Sequence, residues 1–240
     1  MSLGKVRIFP LGDSALTVEF GNVISTALNK KAIALANIFE QARFPGFIES
    51  VPAYASTTVF YDLIAVRRNF PDFPTAFEAV KDIASKAVSE LADDTEETSR
   101  TIEIPMHFDD ASALDLTFVA KMSRLSPDEV VEIFMCRIYR VFMIGFLPGF
   151  SYMGELDERI VVLRKESPRL LVPKGSVGIA GKQTGIYSLA SPGGWQIIGR
   201  TALEMFTPGQ KTPSLLRAGD LVRFVKADHQ LLLADAQACA

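Results

Sequence analysis

Ten of the sixteen glycines lie between Gly145 and Thr201, at positions 145, 149, 154, 175, 178, 181, 185, 193, 194 and 199. Glycine loses more conformational freedom on folding than any other residue. Such crowding therefore suits a backbone that must reach positive φ or let a ligand approach the main chain closely. The tight turns of a compact β-barrel demand the same composition. The segment also carries Arg159, Arg164, Lys165, Arg169, Lys174, Lys182 and Arg200 against Glu155, Asp157, Glu158 and Glu166, in a chain whose net charge is −3. Backbone N–H groups in glycine turns, joined by Lys and Arg, are what a phosphate or carboxylate needs, so the expected ligand is a small anionic molecule. A solvated surface accounts for the same charges equally well.

The aromatic residues Phe146, Phe150 and Tyr152 surround Pro148-Gly149, and Trp195, the only tryptophan, follows Ser191-Pro192-Gly193-Gly194. Aromatic residues placed this way wall a ligand pocket or pack a core. Arg169, Ser176, Gln183 and Thr184 stand among apolar neighbours and need polar partners if buried. With Pro173 and Gly175, these residues make up the candidate substrate- or nucleotide-binding set. No catalytic residue is assigned.

Other chemistries find little support. Residues 176–183, Ser-Val-Gly-Ile-Ala-Gly-Lys-Gln, approach a phosphate-binding loop but have Ser176 in place of the first glycine and Gln183 in place of the magnesium-binding hydroxyl. No G-x-G-x-x-G or G-x-S-x-G motif occurs. The two histidines, His107 and His229, stand at no metal-ligand spacing from a cysteine, so no metal site is expected. Net acidity and a pI near 5.5 argue against nucleic acid as a partner. Two distant cysteines, Cys136 and Cys239, read as free thiols in a reducing compartment. With no signal-like N-terminus and no long apolar run, a soluble cytoplasmic protein is expected.

The elements that must position these residues divide into two sets. Ala15–Phe20 reads as a strand, and Ser25 is placed to cap a helix with Leu28, Ala32, Leu35, Ile38 and Phe39 on one stripe, ended by Pro45-Gly46. Thr57–Val66 is β-branched and aromatic and reads as a strand. Pro74 suits the first turn of a second helix. Asp93–Arg100 has nothing to bury and reads as a linker, which places a small N-terminal α+β domain at residues 1–98 and a second domain at 99–240. In that second domain Ser112 is placed to cap a short helix. Ser126-Pro127-Asp128-Glu129 has the form of a capping box opening a helix to about Arg137. From Tyr139 onward, short strands alternate with Gly and Pro turns, including Tyr139–Ile144, Trp195–Gly199 and Leu221–Val225, a pattern of barrels and sandwiches.

Five segments in order, Gly145-Phe-Leu-Pro-Gly-Phe150, Ser167-Pro-Arg169, Val172 to Gly181, Gln183-Thr-Gly-Ile-Tyr187 and Ser191 to Thr201, carry a family resemblance. Gly12 to Leu16 and Val51 to Tyr54 extend it more loosely towards the N-terminus. The chain resembles the family of 5-oxoprolinase B subunits, allophanate hydrolase subunit 1 and Kip-type kinase inhibitors. The resemblance implies an N-terminal α+β domain followed by a cyclophilin-like β-barrel. It further implies a protein that does not act alone, paired with a C-subunit-like protein bearing a related barrel and with a third subunit, in a complex that opens 5-oxoproline to glutamate. ATP is implied for the complex. The alternative is a regulatory module that inhibits a sensor histidine kinase, and a weaker one is prolyl isomerisation. The family pattern has a histidine about five residues before Tyr139, where this chain has Phe134.

Overall fold

The structure, a computed structural model, describes residues 6–91 and 99–227. The chain divides into two compact units between Thr98 and Ser99. Of the expected linker only Ser99 and Arg100 are described, and His229 and Cys239 lie outside the described residues. The mixed helix-and-strand class read from the sequence is the one observed.

In the first unit β1 (Arg7–Pro10), β2 (Ala15–Glu19), β3 (Phe47–Pro52) and β4 (Ser56–Tyr61) form an antiparallel sheet in the order β1-β2-β4-β3. Helix α1 (Thr26–Gln41) follows Ser25 and buries Ala32, Leu35 and Phe39. It stops ahead of Pro45-Gly46. The strand expected over Thr57–Val66 ends at Tyr61, because the Asp62 carboxylate accepts from Ala65 N at 2.8 Å and starts helix α2 (Leu63–Asn69). A local cap outweighs the β propensity of Leu-Ile-Ala-Val. Helix α3 (Ala76–Ser89) begins after Pro74, which stands just ahead of the cap Thr75, and packs on the same core through Ala79, Val80 and Ala84.

The second unit is built on a seven-stranded sheet ordered β12-β9-β10-β7-β6-β13-β5. Its strands are β5 (Thr101–Met106), β6 (Ile138–Ile144), β7 (Ser151–Gly154), β9 (Ser176–Ala180), β10 (Gln183–Ile186), β12 (Gln196–Arg200) and β13 (Leu221–Lys226). A separate ribbon pairs β8 (Arg169–Val172) with β11 (Ser191–Gly193). Every pairing is antiparallel except β13 with β5. The large sheet curls until its edges touch: His107 N donates to Arg200 O at 2.8 Å and Arg200 N to His107 O at 3.0 Å. Gly199 permits that closure, since a Cβ there would stand 2.9 Å from His107 O.

Helices α4 (Leu116–Ser123) and α5 (Pro127–Met135) pack on this core through Val119, Ala120, Val130 and Phe134. The capping box at Ser126 is present, with Glu129 N donating to Ser126 Oγ at 3.2 Å and Ser126 N to Glu129 Oε2 at 2.7 Å. Ser126→Ala is expected to cost about 1 kcal/mol, read as a melting point lower by ~2–4 °C. An unchanged melting point would show that the box contributes nothing. Ser112 does not cap the preceding helix. It closes a turn on Asp109, and Asp115 holds the N-cap position without capping, because its carboxylate is engaged elsewhere.

Phe134 is fully buried, stacks on Tyr139 at 5.0 Å and lies 4.9 Å from Phe224. Tyr139 Oη donates to Phe134 O at 2.8 Å, and burial pushes the Tyr139 phenol up. Position 134 thus belongs to the main core and not to the separate aromatic cluster around Phe150.

Candidate functional site

The Phe150 ring lies 5.5 Å from Phe146, 4.8 Å from Tyr152, 5.2 Å from Tyr187 and 5.7 Å from Trp195, all edge to face. Edge-to-face contacts of this kind make a rigid wall. Three glycines let the rings sit against the backbone. A Cβ on Gly185 would stand 2.9 Å from Phe150, one on Gly193 2.3 Å from Tyr187 Oη, and one on Gly178 2.9 Å from Trp195 Cβ. The glycine crowding therefore has a further cause: at each of these positions an aromatic residue of the protein itself comes too close to leave room for a Cβ.

The cluster walls a cavity of about 270 Å³ lined by Phe146, Phe150, Tyr152, Arg164, Pro168, Tyr187, Pro192, Gly193, Gly194 and Trp195. Phe146 stands 62% exposed at its mouth with φ +71°, a left-handed conformation unfavourable for a bulky side chain. The Arg164 guanidinium lies 5.8 Å from the centre of the Trp195 ring. Burial pushes the Tyr152 and Tyr187 phenols up, against an opposing pull from Arg164, so both remain neutral hydroxyls.

Six of the expected binding residues meet at this cavity: Phe146, Phe150, Pro192, Gly193, Gly194 and Trp195. The others are placed differently. Arg169 is held by Asp115, donating from Nη1 and Nη2 at 2.6 and 2.7 Å. Thr184 is buried and donates to Gly178 O at 3.0 Å, inside the sheet. Ser176 opens β9, and Gln183 opens β10 opposite Gly154. Pro173 accepts from Ser176 N in the turn that contains Gly175. Gly175 has φ +80° and approaches Thr201 O so closely that a Cβ would stand 2.1 Å away. Gly149 has φ +76° and turns the loop from Gly145 to Phe150 against Met205, with Pro148 beside it. The candidate set lacked Tyr152, Arg164, Pro168 and Tyr187. Tyr152 alternates with Phe150 along the chain, Pro168 and Tyr187 sit in the segments that carry the family resemblance, and Arg164 was visible only as one of seven cations.

Most cations of the segment are held by carboxylates. Arg169 and Lys165 pair with Asp115, Lys174 with Glu204, Lys182 with Glu158 and Arg159 with Asp157. Among the described residues, Arg164 and Arg200 alone of the seven have no carboxylate partner, and each lines a cavity.

Residues 176–186 form the antiparallel β9–β10 hairpin with Gly181 at its turn. The strand–loop–helix of a phosphate-binding loop is thus not formed there. The aromatic cavity is also smaller than a nucleotide needs. Neither feature fits ATP. Among the described residues no three His, Cys, Asp or Glu gather as metal ligands, and no helix is long and apolar enough to cross a membrane.

Comparison with known proteins gives consistent matches. The family model for the carboxyltransferase domain, subdomain C and D, matches residues 6–216. The chain is 45% identical over 223 residues to the 5-oxoprolinase B subunit of Bacillus subtilis (strain 168), covering 92% of this chain and 93% of that protein. It is 39% identical over 221 residues to the protein of the same name from Escherichia coli O157:H7, covering 92% and 96%. Among solved structures TTHA0988 superposes with a TM-score of 0.76 at 34% identity over 93% of this chain, which spans 40% of that longer one.

Proposed function

The chain belongs to the carboxyltransferase-domain family, subdomain C and D, and from that premise we propose that it is a non-autonomous subunit of an ATP-dependent lactam hydrolase that opens 5-oxoproline to glutamate. One observation carries the reading beyond family membership. The aromatic cavity offers apolar walls and one cation, Arg164, that has no carboxylate partner among the described residues, and no described carboxylate, imidazole or thiol lines it. It is therefore equipped to bind and orient, with the lactam ring against Phe150 and Trp195 and the substrate carboxylate at Arg164. Proton transfer and activation need groups from another chain. ATP supplies the activation in the complex, and no step through it is assigned to residues of this chain.

A second cavity, of about 690 Å³, supports the need for a partner. It is lined by Phe118, Met122, Leu163 and Gln196, among others. Leu163 is 82% exposed, Met122 60% and Phe118 46%, and on the nearby β8 Leu170 is 91% exposed. Contiguous exposed apolar surface of this kind marks an interaction site. The buried Gln196 Oε1 accepts no hydrogen bond from the described residues, and its Nε2 donates to Leu163 O at 3.1 Å. The partner we propose for this surface is a C-subunit-like protein, which covers the exposed leucines.

Reconstitution with this C-subunit-like partner and the third subunit is expected to yield ATP-dependent glutamate from 5-oxoproline, with no turnover by this chain alone. An assembled complex without turnover would remove the lactam reading. In the active complex Arg164→Met is expected to raise KM for 5-oxoproline about tenfold with a smaller change in kcat, because a carboxylate contact binds ground state and transition state alike. An unchanged KM would place the carboxylate elsewhere.

A further inference from the structure

Arg200, the other of the segment's seven cations without a carboxylate partner among the described residues, lines a separate cavity of about 280 Å³ with His107, Ser112, Lys174, Thr201 and Glu204. We propose that this cavity, at the closure seam of the barrel, is a binding site for a phosphate-sized oxyanion, either free phosphate or the terminal phosphoryl group of a larger molecule.

The geometry points to an anion for four reasons. First, Arg200 Nε donates to Lys174 O at 2.8 Å, which anchors the guanidinium by one edge. Its Nη1 and Nη2 groups have no partner among the described residues, so the fork that grips two oxygens of an oxyanion stays available. Second, the backbone of Arg200 is itself fixed by its two hydrogen bonds with His107, so the fork is carried on rigid structure. Third, Thr201 is 2% exposed, and its hydroxyl accepts from Leu203 N at 3.2 Å while its proton is committed to no described residue. A buried hydroxyl with a free proton is a donor awaiting an acceptor. The His107 ring likewise has no hydrogen-bond partner among the described residues. Fourth, Lys174 is present but held by Glu204, with Nζ to Oε1 at 2.6 Å. Glu204 is 59% exposed at its side chain, so it can yield Lys174 to an incoming anion. The volume admits a tetrahedral oxyanion.

This inference does not rest on the lactam reading, since it concerns a different cavity and a different arginine. Titration of the full chain with inorganic phosphate at constant ionic strength, followed by calorimetry and by phosphorus NMR, tests it directly. Saturable binding is expected. Arg200→Met is expected to weaken it about tenfold or more, and Arg200→Lys, which keeps the charge and loses the fork, by several-fold. Glu204→Gln, which frees Lys174, is expected to tighten it several-fold. Arg164→Met is expected to leave it unchanged. Parallel titrations with AMP and ADP separate the sources: tighter binding of ADP that depends on Arg200 identifies a terminal phosphoryl group, and binding of phosphate alone identifies the free ion. Absence of saturable phosphate binding, equal affinity in Arg200→Met or Arg200→Lys, or loss of binding in Arg164→Met would each overturn the proposal.

Discussion

Asp115→Ala is expected to lower stability by about 3 kcal/mol, which for a chain of this size is a melting point lower by ~6–12 °C. The carboxylate is buried and collects four hydrogen bonds: Arg169 at 2.6 and 2.7 Å, Lys165 at 3.1 Å and Ile197 N at 2.8 Å. It thereby ties the start of α4 to β8 and to β12, and Asp115 N adds a bond to Ile197 O at 2.7 Å. Alanine would leave two half-buried cations and one buried N–H without their acceptor. Because Arg169 and Lys165 remain about a quarter exposed, the loss falls at the low end for a broken buried pair. Asn should cost less, since it can still accept from Ile197 N. A melting point for Asp115→Ala within about 2 °C of the unaltered protein would show that the cluster does not hold these elements together.

The same group sets an acid dependence. Burial pushes the Asp115 carboxyl up, but the hydrogen bonds from Arg169, Ile197 N and Lys165 prevail and hold it below its ordinary value of 3.8. A carboxyl lowered in the folded state contributes stability that is fully present above the ordinary carboxylate range and is lost as pH falls through the lower folded value. Asp115→Asn should therefore flatten the part of the acid unfolding curve that lies between the ordinary carboxylate range and that lower value. Because Lys165 and Arg169 bracket Pro168 and follow Arg164, loosening this cluster should also shift that wall of the aromatic cavity.

Leu163→Asp is expected to weaken assembly with the C-subunit-like partner proposed above while leaving the isolated chain folded. An exposed leucine on an apolar surface is replaced without loss of core packing, whereas a buried aspartate at an interface would have no partner for its charge. The expected weakening is about 30-fold or more, the scale of an interface hot spot. Analytical ultracentrifugation of the mixed subunits reads it, with Leu170→Asp as a second probe on the β8 ribbon. A complex of unchanged affinity in both variants would move the partner to another face.

Much of the architecture was legible locally. The capping box at Ser126, the apolar stripe of α1 and the strands β6, β12 and β13 follow from side-chain period and from residues a few positions apart. Where the local reading missed, another group supplied the deciding hydrogen bond. Asp62 turned the end of an expected strand into α2, and Asp115 displaced Ser112 at the start of α4 because its carboxylate faced Arg169 from 54 positions away.

The candidate site divides the same way. From residue types alone, the segment 145–201 stood out as the place where glycine, aromatic and basic residues gather, and more than half of the cavity lining could be named. Composition is summed along the chain, so it finds such a segment without knowing its shape. Which cations are free to meet a ligand was decided only in the tertiary structure. Lys165, Arg169 and Lys174 find their carboxylates 30 to 54 positions away, and Arg164 and Arg200 find none among the described residues. Ion pairs depend on distances in space that no short-range pattern encodes, and so the two arginines without a described carboxylate, and the two cavities they line, emerge only once the barrel has closed.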